Sequence, residues 1–309
     1  IFQTRDLYNY RTCLILSTLI KAFYLKIITN MGKLLNKEIV MKRKNGISIY
    51  PNDESIENIK EYLKLAGQLN YQYVFNSIHM PEFSKEQMLN FLKEISMIVH
   101  ENNMKIVSDI RGSFLEEIDN DKNLKKTFQE LNLDCIRLDF EMNEKSLDIL
   151  KANDIREVFV NASTLDEETI KEYKSLCDKK GLILKACHNY YPRPETGLSR
   201  EFYLRQNTLF TKYNVDVFTF IPSSDKPRGP IYEGLPTIED HRNMDFSTAC
   251  LELDSSLQAE NILIGDGMAD ENKLKELQGI SLNKNVLLRV KIFDKENFES
   301  LLNRWHPIR

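Results

Sequence analysis

The sequence is poor in cysteine and has no paired-cysteine motif. Its five cysteines stand singly, most of them in apolar or helical segments, with no CxxC spacing: Cys13, Cys135, Cys177, Cys187 and Cys250. Disulfide-rich secreted domains use even numbers of cysteines, and zinc ribbons use close pairs. We therefore expect buried free thiols and a reducing compartment.

The common motifs for cofactors, nucleotides and metals are also missing. The sequence contains no GxGxxG loop, P-loop, GxSxG elbow, HxH or HExxH spacing. These motifs bind dinucleotides and phosphates, expose a serine nucleophile, or hold zinc. Pyridoxal-phosphate chemistry needs a lysine at a strand end, whereas Lys185 lies inside a strand segment, where we expect a structural or electrostatic role. We expect no cofactor; a metal site built from His188, His241 and aspartates is the alternative.

Neither a charge excess nor a charge-free apolar span is present. The 309 residues include 42 Lys and Arg against 46 Asp and Glu, a formal net charge of −4, which does not favour a nucleic-acid surface. The apolar run at 12–29 is broken by Lys21 and Lys26 and makes a poor membrane span. We expect neither a nucleic-acid nor a membrane partner. We treat residues 1–40 as an N-terminal extension, with Met31 and Met41 as alternative initiators.

Short apolar segments, rich in β-branched and aromatic residues, alternate with helical patterns from residue 45 onward. Such segments are typical of buried parallel strands. Eight of them over roughly 235 residues predict a TIM (β/α)8 barrel at 41–284, with a doubly wound sheet as the alternative. A further strand pattern at 285–293 predicts that 285–309 begins a small β-rich domain. The eight segments are 46–50, 73–78, 105–110, 135–140, 157–162, 182–187, 215–220 and 261–266.

Three of the intervening helices have clear end signals. Ser55 is placed to cap a helix at 55–69, and a helix at 84–99 opens with Ser84 and Gln87 at capping-box spacing. A helix at 166–181 ends on a glycine, as helix C-termini often do.

Polar residues follow the predicted strands, at the barrel end where active sites form. Glycoside hydrolysis uses two carboxyl groups, one of them often kept protonated. We assign Glu233 as general acid, in an apolar sequence setting that would raise its pKa, and Asp139 as nucleophile or charge stabiliser beside Arg137. Asp109 and Asp266 are the reserve carboxylates. The strand-end residues are Tyr50, Asn76, His79, Asp109, Asp139, Glu141, Asn161, His188, Asn189 and Asp266.

The stretch His188–Arg242 holds six of the nine prolines, which stiffen two loops loaded with donors and cations. Arginine binds oxyanions in a bidentate way, so we expect these loops to hold a small anionic molecule, with ordinary solvated surface loops as the alternative. The predicted substrate-binding residues are Asn161, His188, Asn189, Arg193, Arg228, His241, Arg242 and Asp266.

Five motifs together resemble one family of bacterial cytoplasmic glycosidases, the 6-phospho-N-acetylmuramidases. They are GISIYP at strand one, LDF at strand four, NAST after strand five, HNYYPRPETGLS after strand six and RGPIYEGLPTIEDHR after strand seven. The resemblance covers about residues 45–309, while DIRG after strand three and the Glu141–Met142 pair depart from the family pattern.

The resemblance implies a barrel followed by a cyclophilin-like β domain. It implies cleavage of N-acetylmuramic acid 6-phosphate from N-acetylglucosamine in the cytoplasm, during recovery of cell-wall fragments. A phosphate and a lactyl carboxylate on the substrate would account for the arginines. The resemblance does not say which carboxylates are catalytic. The alternatives are a hydrolase of another 6-phospho-disaccharide and a non-catalytic phospho-sugar-binding protein.

Overall fold

Eight parallel strands close into a barrel in sequence order, in a computed structural model that describes residues 43–51, 54–78, 83–139, 142–223 and 226–283. Closure comes from the last strand pairing with the first, with Gly46 opposite Leu263. The fold is the predicted TIM barrel, and all eight strand predictions are confirmed. The strands are β1 (Gly46–Ser48), β2 (Tyr73–Ser77), β3 (Lys105–Ile110), β4 (Cys135–Leu138), β5 (Glu157–Asn161), β6 (Ile183–Cys187), β7 (Val217–Ile221) and β8 (Asn261–Ile264).

Helices follow the strands and cover the outside of the barrel. In the described part of the chain they are α1 (Ile56–Gln68), α2 (Lys85–Glu101), α3 (Gly112–Asn120), α4 (Lys122–Glu130), α5 (Glu144–Ala152), α6 (Glu167–Lys180), α7 (Arg200–Lys212), α8 (Phe246–Ser255) and α9 (Glu271–Asn283), with a 3-10 turn at Glu239–His241. None of these helices is both long and apolar enough to cross a bilayer.

The predicted helix ends are confirmed. Ser55 accepts a hydrogen bond from the Asn58 N–H at the start of α1, and Ser84 forms a reciprocal capping box with Gln87 at the start of α2. Gly181 ends α6 with φ 72°, a left-handed conformation that glycine adopts without a Cβ clash.

The barrel interior is packed with aromatic rings. Tyr73, Phe159 and Phe218 meet edge to face, with the Phe159 and Phe218 centroids 5.1 Å apart, and Phe75 meets Phe220 in the same way one layer higher. Such packing closes the barrel axis, so a substrate can enter only from an end.

A buried ion pair lies at the N-terminal end of the barrel, opposite the predicted site. Lys185 Nζ is 2.9 Å from Glu157 Oε2, with the Lys185 side chain only 3% exposed. Burial lowers the pKa of Lys185. Burial alone would raise the pKa of Glu157, but Lys185 and Lys105 outweigh it and hold that pKa at about 2. This pairing agrees with the structural role expected of Lys185.

Four cysteines, Cys135, Cys177, Cys187 and Cys250, are free and buried, as predicted. The fifth, Cys13, lies outside the described residues, as do His79 and Glu141. The predicted extension at 1–40 and the predicted second domain at 285–309 also lie outside them.

Candidate active site

One arginine joins three strand ends at the carboxyl rim. Arg137 on β4 lies opposite Asp109 on β3 in the strand register, so both side chains point into the barrel mouth. Its Nη1 is 2.7 Å from Asp109 Oδ1 and 3.5 Å from Asp139 Oδ1, and its Nη2 donates to Asn189 Oδ1 over 2.5 Å. The predicted neighbourhood of Arg137 and Asp139 is therefore present, with Asp109 as the nearer carboxylate.

The two carboxylates have different surroundings. The Asp109 side chain is 23% exposed, and burial raises its pKa even though the Arg137 charge acts in the opposite direction. The Asp139 side chain is 52% exposed and stands on the open side of the same guanidinium. The Arg137 guanidinium thus lies between one sheltered carboxyl group and one open carboxyl group. Acid–base catalysis by two carboxyl groups uses such a difference in surroundings.

His188 lies behind this cluster, on the outer side of the barrel wall and against α7. Its ring is fully buried, with Nδ1 3.1 Å from Ser163 Oγ and Nε2 2.8 Å from Asn207 Oδ1. Burial lowers its pKa to about 4, so the ring is neutral at pH 7. The Ser163 hydroxyl accepts the Asn189 N–H over 3.0 Å. Through Ser163, His188 therefore supports Asn189 from behind, instead of facing the rim as the sequence predicted.

Asn161 lies at the end of β5 and is half-buried. Its Oδ1 accepts the Ser163 N–H over 2.9 Å, which shapes the turn that carries Ser163. This side-chain oxygen has a local structural use.

Aromatic side chains form the floor of the mouth beside Arg228. The Arg228 guanidinium carbon is 3.9 Å from the centre of the Tyr50 ring, and the Tyr50 hydroxyl donates to the Gly265 carbonyl. Tyr190 packs against Phe220 with ring centres 5.1 Å apart. Burial raises the pKa of Tyr190, and the Arg228 charge opposes that rise. One face of the Arg228 guanidinium therefore rests on an aromatic ring in a cation–π contact.

Asp266 is fully buried and fastens the loop after β7. Its Oδ2 accepts the Ser223 N–H over 2.8 Å and its Oδ1 accepts the Arg228 N–H over 3.1 Å. Burial raises its pKa, and these backbone donors act in the opposite direction. The predicted direct contact with substrate is replaced by a contact that shapes the loop around Arg228.

Arg242 does not have a free guanidinium, contrary to its predicted role as an anion ligand. All five of its N–H groups point at protein acceptors within 3.2 Å, and its side chain is 2% exposed. The acceptors are the Glu239 carboxylate and four carbonyls. His241 is also buried, and its Nε2 faces Glu252 Oε2 at 3.0 Å, away from the rim. The long side chains of both residues serve the protein interior.

Glu233 and Arg193 are exposed on the two loops. The apolar residues around Glu233 divide into two groups: Ile231 and Tyr232 are 38% and 67% exposed, whereas Leu235 and Pro236 are buried. An apolar setting for the Glu233 carboxyl stays a prediction. The chain turns sharply here, with Tyr232 and Gly234 both at positive φ. The Arg193 guanidinium has no ion-pair partner among the described residues.

Glu239 and Ser163 are important to the site but are absent from the predicted site residues. Glu239 carries a signal in the sequence, since it stands three residues before Arg242 in the i,i+3 spacing of an ion pair. Ser163 carries none, because its bonds depend on how two strand ends meet. The described residues contain no cluster of three metal-binding side chains, and His188 and His241 both have other partners.

Known structures with the same barrel include two bacterial proteins of similar sequence. A conserved protein of unknown function from Enterococcus faecalis is 28% identical with a TM-score of 0.66, over 83% of this chain and 70% of that one. An uncharacterised B. cereus protein is 26% identical with a TM-score of 0.61, over 76% of this chain and 64% of that one, which is less than two thirds of its length. Comparison with curated proteins gives no match.

A more distant structure shares the fold alone. The 7,8-dihydropteroate synthase from Vibrio fischeri ES114 is 12% identical with a TM-score of 0.53, over 81% of this chain and 96% of that one.

The profile of one family, described as 6-phospho-N-acetylmuramidase, N-terminal, matches residues 45–279. This range includes every strand of the barrel and both loops of the His188–Arg242 stretch. It confirms the family resemblance carried by the five sequence motifs. The chain belongs to the 6-phospho-N-acetylmuramidase family, and it is a glycosidase.

Proposed function

We propose that the protein hydrolyses the bond between N-acetylmuramic acid 6-phosphate and N-acetylglucosamine. The observation that carries this proposal is the pair Asp109 and Asp139 around Arg137, at the active end of a barrel from this glycosidase family. Glycosidases need one carboxyl group that gives a proton and one carboxylate that faces the oxocarbenium-like transition state. With a phosphorylated cell-wall fragment as substrate, a cytoplasmic location is part of the proposal.

In the first assignment Asp139 is the nucleophile or charge stabiliser and Glu233 is the general acid. The Asp139 carboxylate is half exposed and can reach a sugar at the mouth, and it lies 3.5 Å from Arg137 Nη1. Glu233 lies on the loop after β7, where its backbone carbonyl accepts a hydrogen bond from Arg242 Nη1. Closure of substrate over this loop would supply the desolvation that a general acid needs.

A second assignment pairs Asp109 with Asp139, and one observation favours it. Both carboxylates lie within 3.5 Å of the same Arg137 nitrogen, so their nearest oxygens are closer than the roughly 6.5–9.5 Å of inverting pairs. The raised pKa of Asp109 suits a group that holds a proton. In this assignment Asp109 is the acid and Glu233 contacts the second sugar.

Arg193 and Arg228 are the proposed ligands of the substrate anions. Arg193 is exposed on the loop after β6, and Arg228 lies half-buried on the ring of Tyr50 on the loop after β7. Guanidinium groups bind phosphate and carboxylate in the same planar, bidentate way. Asn161 and Asn189 remain proposed hydrogen-bonding partners of the sugar.

The test compares hydrolysis of the 6-phospho disaccharide with hydrolysis of its unphosphorylated form. We expect turnover of the first only, and equal rates on both would remove the phosphate-reading role. Faster turnover of another 6-phospho-disaccharide would identify that disaccharide as the substrate instead. Ligand-dependent thermal stabilisation without any turnover would point to a binding protein.

Three substitutions separate the two assignments. Asp139→Asn is expected to lower kcat by at least about 10²-fold in either case. Glu233→Gln lowers kcat comparably only if Glu233 is the acid, and Asp109→Asn does so only if Asp109 is. Near-normal kcat in Asp139→Asn would exclude Asp139 from the chemistry.

A further inference from the structure

Glu239 and Arg242 join the two loops that frame one side of the barrel mouth. We call residues 188–199 the β6 loop, residues 226–238 the β7 loop, and the ion pair Glu239–Arg242 the clasp. Arg242 Nε and Nη2 each lie 2.7 Å from an oxygen of Glu239, in the bidentate geometry of a strong charge-assisted pair.

The clasp contacts the backbone of the β6 loop with both of its charges. The Glu239 carboxylate accepts the N–H groups of Glu195 and Gly197 over 2.8 and 2.7 Å. Arg242 Nη2 donates to the carbonyls of Tyr191 and Arg193, both over 2.9 Å. The position of Arg193, a proposed anion ligand, is therefore fixed through its own carbonyl.

The same guanidinium contacts the β7 loop at the proposed acid. Arg242 Nη1 donates to the carbonyls of Glu233 and Gly234 over 3.1 and 3.2 Å. These carbonyls belong to the sharp turn that aims the Glu233 side chain. One planar group thus sets the distance between Glu233 and the β6 loop.

Close packing shows that the clasp tolerates little change. A Cβ on Gly197 would lie 2.6 Å from Glu239 Oε2 and 2.8 Å from the Glu239 backbone nitrogen. The hydrogen bonds from Arg242 have the largest effect on the pKa of Glu239 and lower it to about 2, although burial acts to raise it. The carboxylate is consequently charged throughout the pH range of any activity assay.

We propose that Glu239 and Arg242 are positioning residues that hold the Glu233 carboxyl against the substrate bound on the β6 loop. This inference rests on the proposed glycosidase function with Glu233 as general acid. A shift of about 1 Å in a catalytic group can lower a rate by about 10²-fold, so loss of the clasp is expected to act on kcat.

A carboxylate at the other end of the barrel provides a matched control. The Asp134 side chain, just before β4, is 29% exposed and that of Glu239 is 26% exposed. Like Glu239, Asp134 accepts a backbone N–H, that of Ile106 over 2.9 Å, and its Oδ2 also lies 2.9 Å from His100 Nε2. These contacts lie at the N-terminal ends of β3 and β4, away from both loops, so the same loss of charge there tests general stability alone.

The experiment compares Glu239→Gln with Asp134→Asn on two substrates, the 6-phospho disaccharide and the 4-nitrophenyl glycoside of the same 6-phospho sugar. A nitrophenolate leaves without protonation, so the glycoside does not need the general acid. For Glu239→Gln we expect kcat on the disaccharide to fall about 10²-fold, with KM changed less than about threefold, and kcat on the nitrophenyl glycoside to fall less than about tenfold. Asp134→Asn is expected to stay within about twofold of wild type on both.

Hydrogen–deuterium exchange provides a readout that does not depend on turnover. In Glu239→Gln we expect faster exchange of the Glu195 and Gly197 amides and of the amides around Glu233, with no change there in Asp134→Asn. Gly197→Ala, which displaces the carboxylate and keeps its charge, is expected to reproduce both the kinetic and the exchange pattern.

Equal losses on both substrates, or normal kcat in Glu239→Gln, would overturn the positioning role. Unchanged exchange in both loops would overturn the clasp itself. If wild-type protein turns over neither substrate, the proposed function fails instead, and the exchange result still decides whether the clasp orders the loops.

Discussion

Replacing Arg137 by methionine is expected to destabilise the protein in a pH-dependent way. Methionine keeps much of the side-chain volume but removes the charge that serves Asp109 and Asp139. The Asp109 carboxylate is sheltered, with 23% of its side chain exposed, and loses a donor at 2.7 Å. Leaving a buried charge without its partner costs much more than the pair itself contributes.

The expected loss at pH 7 is about 3 kcal/mol in the free energy of unfolding, the lower end of the range for broken buried pairs, because Asp109 and Asp139 both retain some solvent. Without Arg137 the pKa of Asp109 rises further above its unfolded value. The charge-dependent part of the deficit therefore develops as pH rises from the folded pKa of the wild type to the higher folded pKa of the variant. Below both values Asp109 is protonated in either protein, and that part disappears.

Urea unfolding at pH 7 and at about pH 4 measures this difference. Lys93→Met is the control, since the Lys93–Glu130 pair is 57% and 42% exposed and its loss is expected to leave the urea midpoint nearly unchanged. Adding Asp109→Asn to Arg137→Met should recover part of the lost stability. A deficit that is the same at both pH values, or a double variant no more stable than Arg137→Met, would refute the reasoning.

Three further substitutions test other parts of the barrel. Glu157→Gln leaves Lys185 buried without its partner and is expected to cost about 3–5 kcal/mol at pH 7. Because the pKa of Glu157 is lowered to about 2, this difference shrinks as pH falls from its unfolded pKa towards that value, and a pH-independent loss in urea unfolding would contradict the assignment. Ser163→Ala leaves Nδ1 of the buried His188 ring and the Asn189 N–H without a hydrogen-bond partner, while Asn207 still contacts the other ring nitrogen. It should cost about 1–3 kcal/mol and lower kcat more than it raises KM, and kinetics that match wild type would exclude a positioning role. Arg228→Gln should raise KM for the phosphorylated substrate about tenfold or more while Arg228→Lys retains part of the affinity; unchanged KM in both would remove Arg228 from anion binding.

The barrel and its helix ends are predictable from the sequence because their signals are local. Each strand is a short apolar run buried on both faces, and each helix start or end depends on residues within one turn, as at Ser84 and Gly181. The eightfold repetition then leaves few topologies that can bury all the strands. Asp109, Arg137 and Asp139 are found by the same logic, since strand alternation alone points them into the mouth.

The roles of the loop residues cannot be predicted in this way. Arg242 and Arg193 look alike in the sequence, as polar residues near prolines. Their difference arises because the loops fold so that four carbonyls converge on Arg242, two of them from residues about fifty positions away, as in the bond to the Tyr191 carbonyl. His188 is similar, because the partners of its two ring nitrogens, Ser163 and Asn207, lie on other elements and are brought together only by the folded barrel.

The arginines at the barrel mouth differ in how many of their N–H groups already have a protein acceptor, and this difference limits where a substrate anion can bind. Arg242 has an acceptor for every N–H group, so a phosphate there would have to displace the contacts that shape both loops. Arg137 has carboxylates and Asn189 on its two terminal nitrogens, and a second anion beside them would meet two like charges. Arg193 and Arg228 carry no such competition from a described carboxylate, and each lies on a loop that other residues hold in place. Within the stretch His188–Arg242, the paired charges of Glu239 and Arg242 therefore order the backbone, and the charges of Arg193 and Arg228 remain for the ligand.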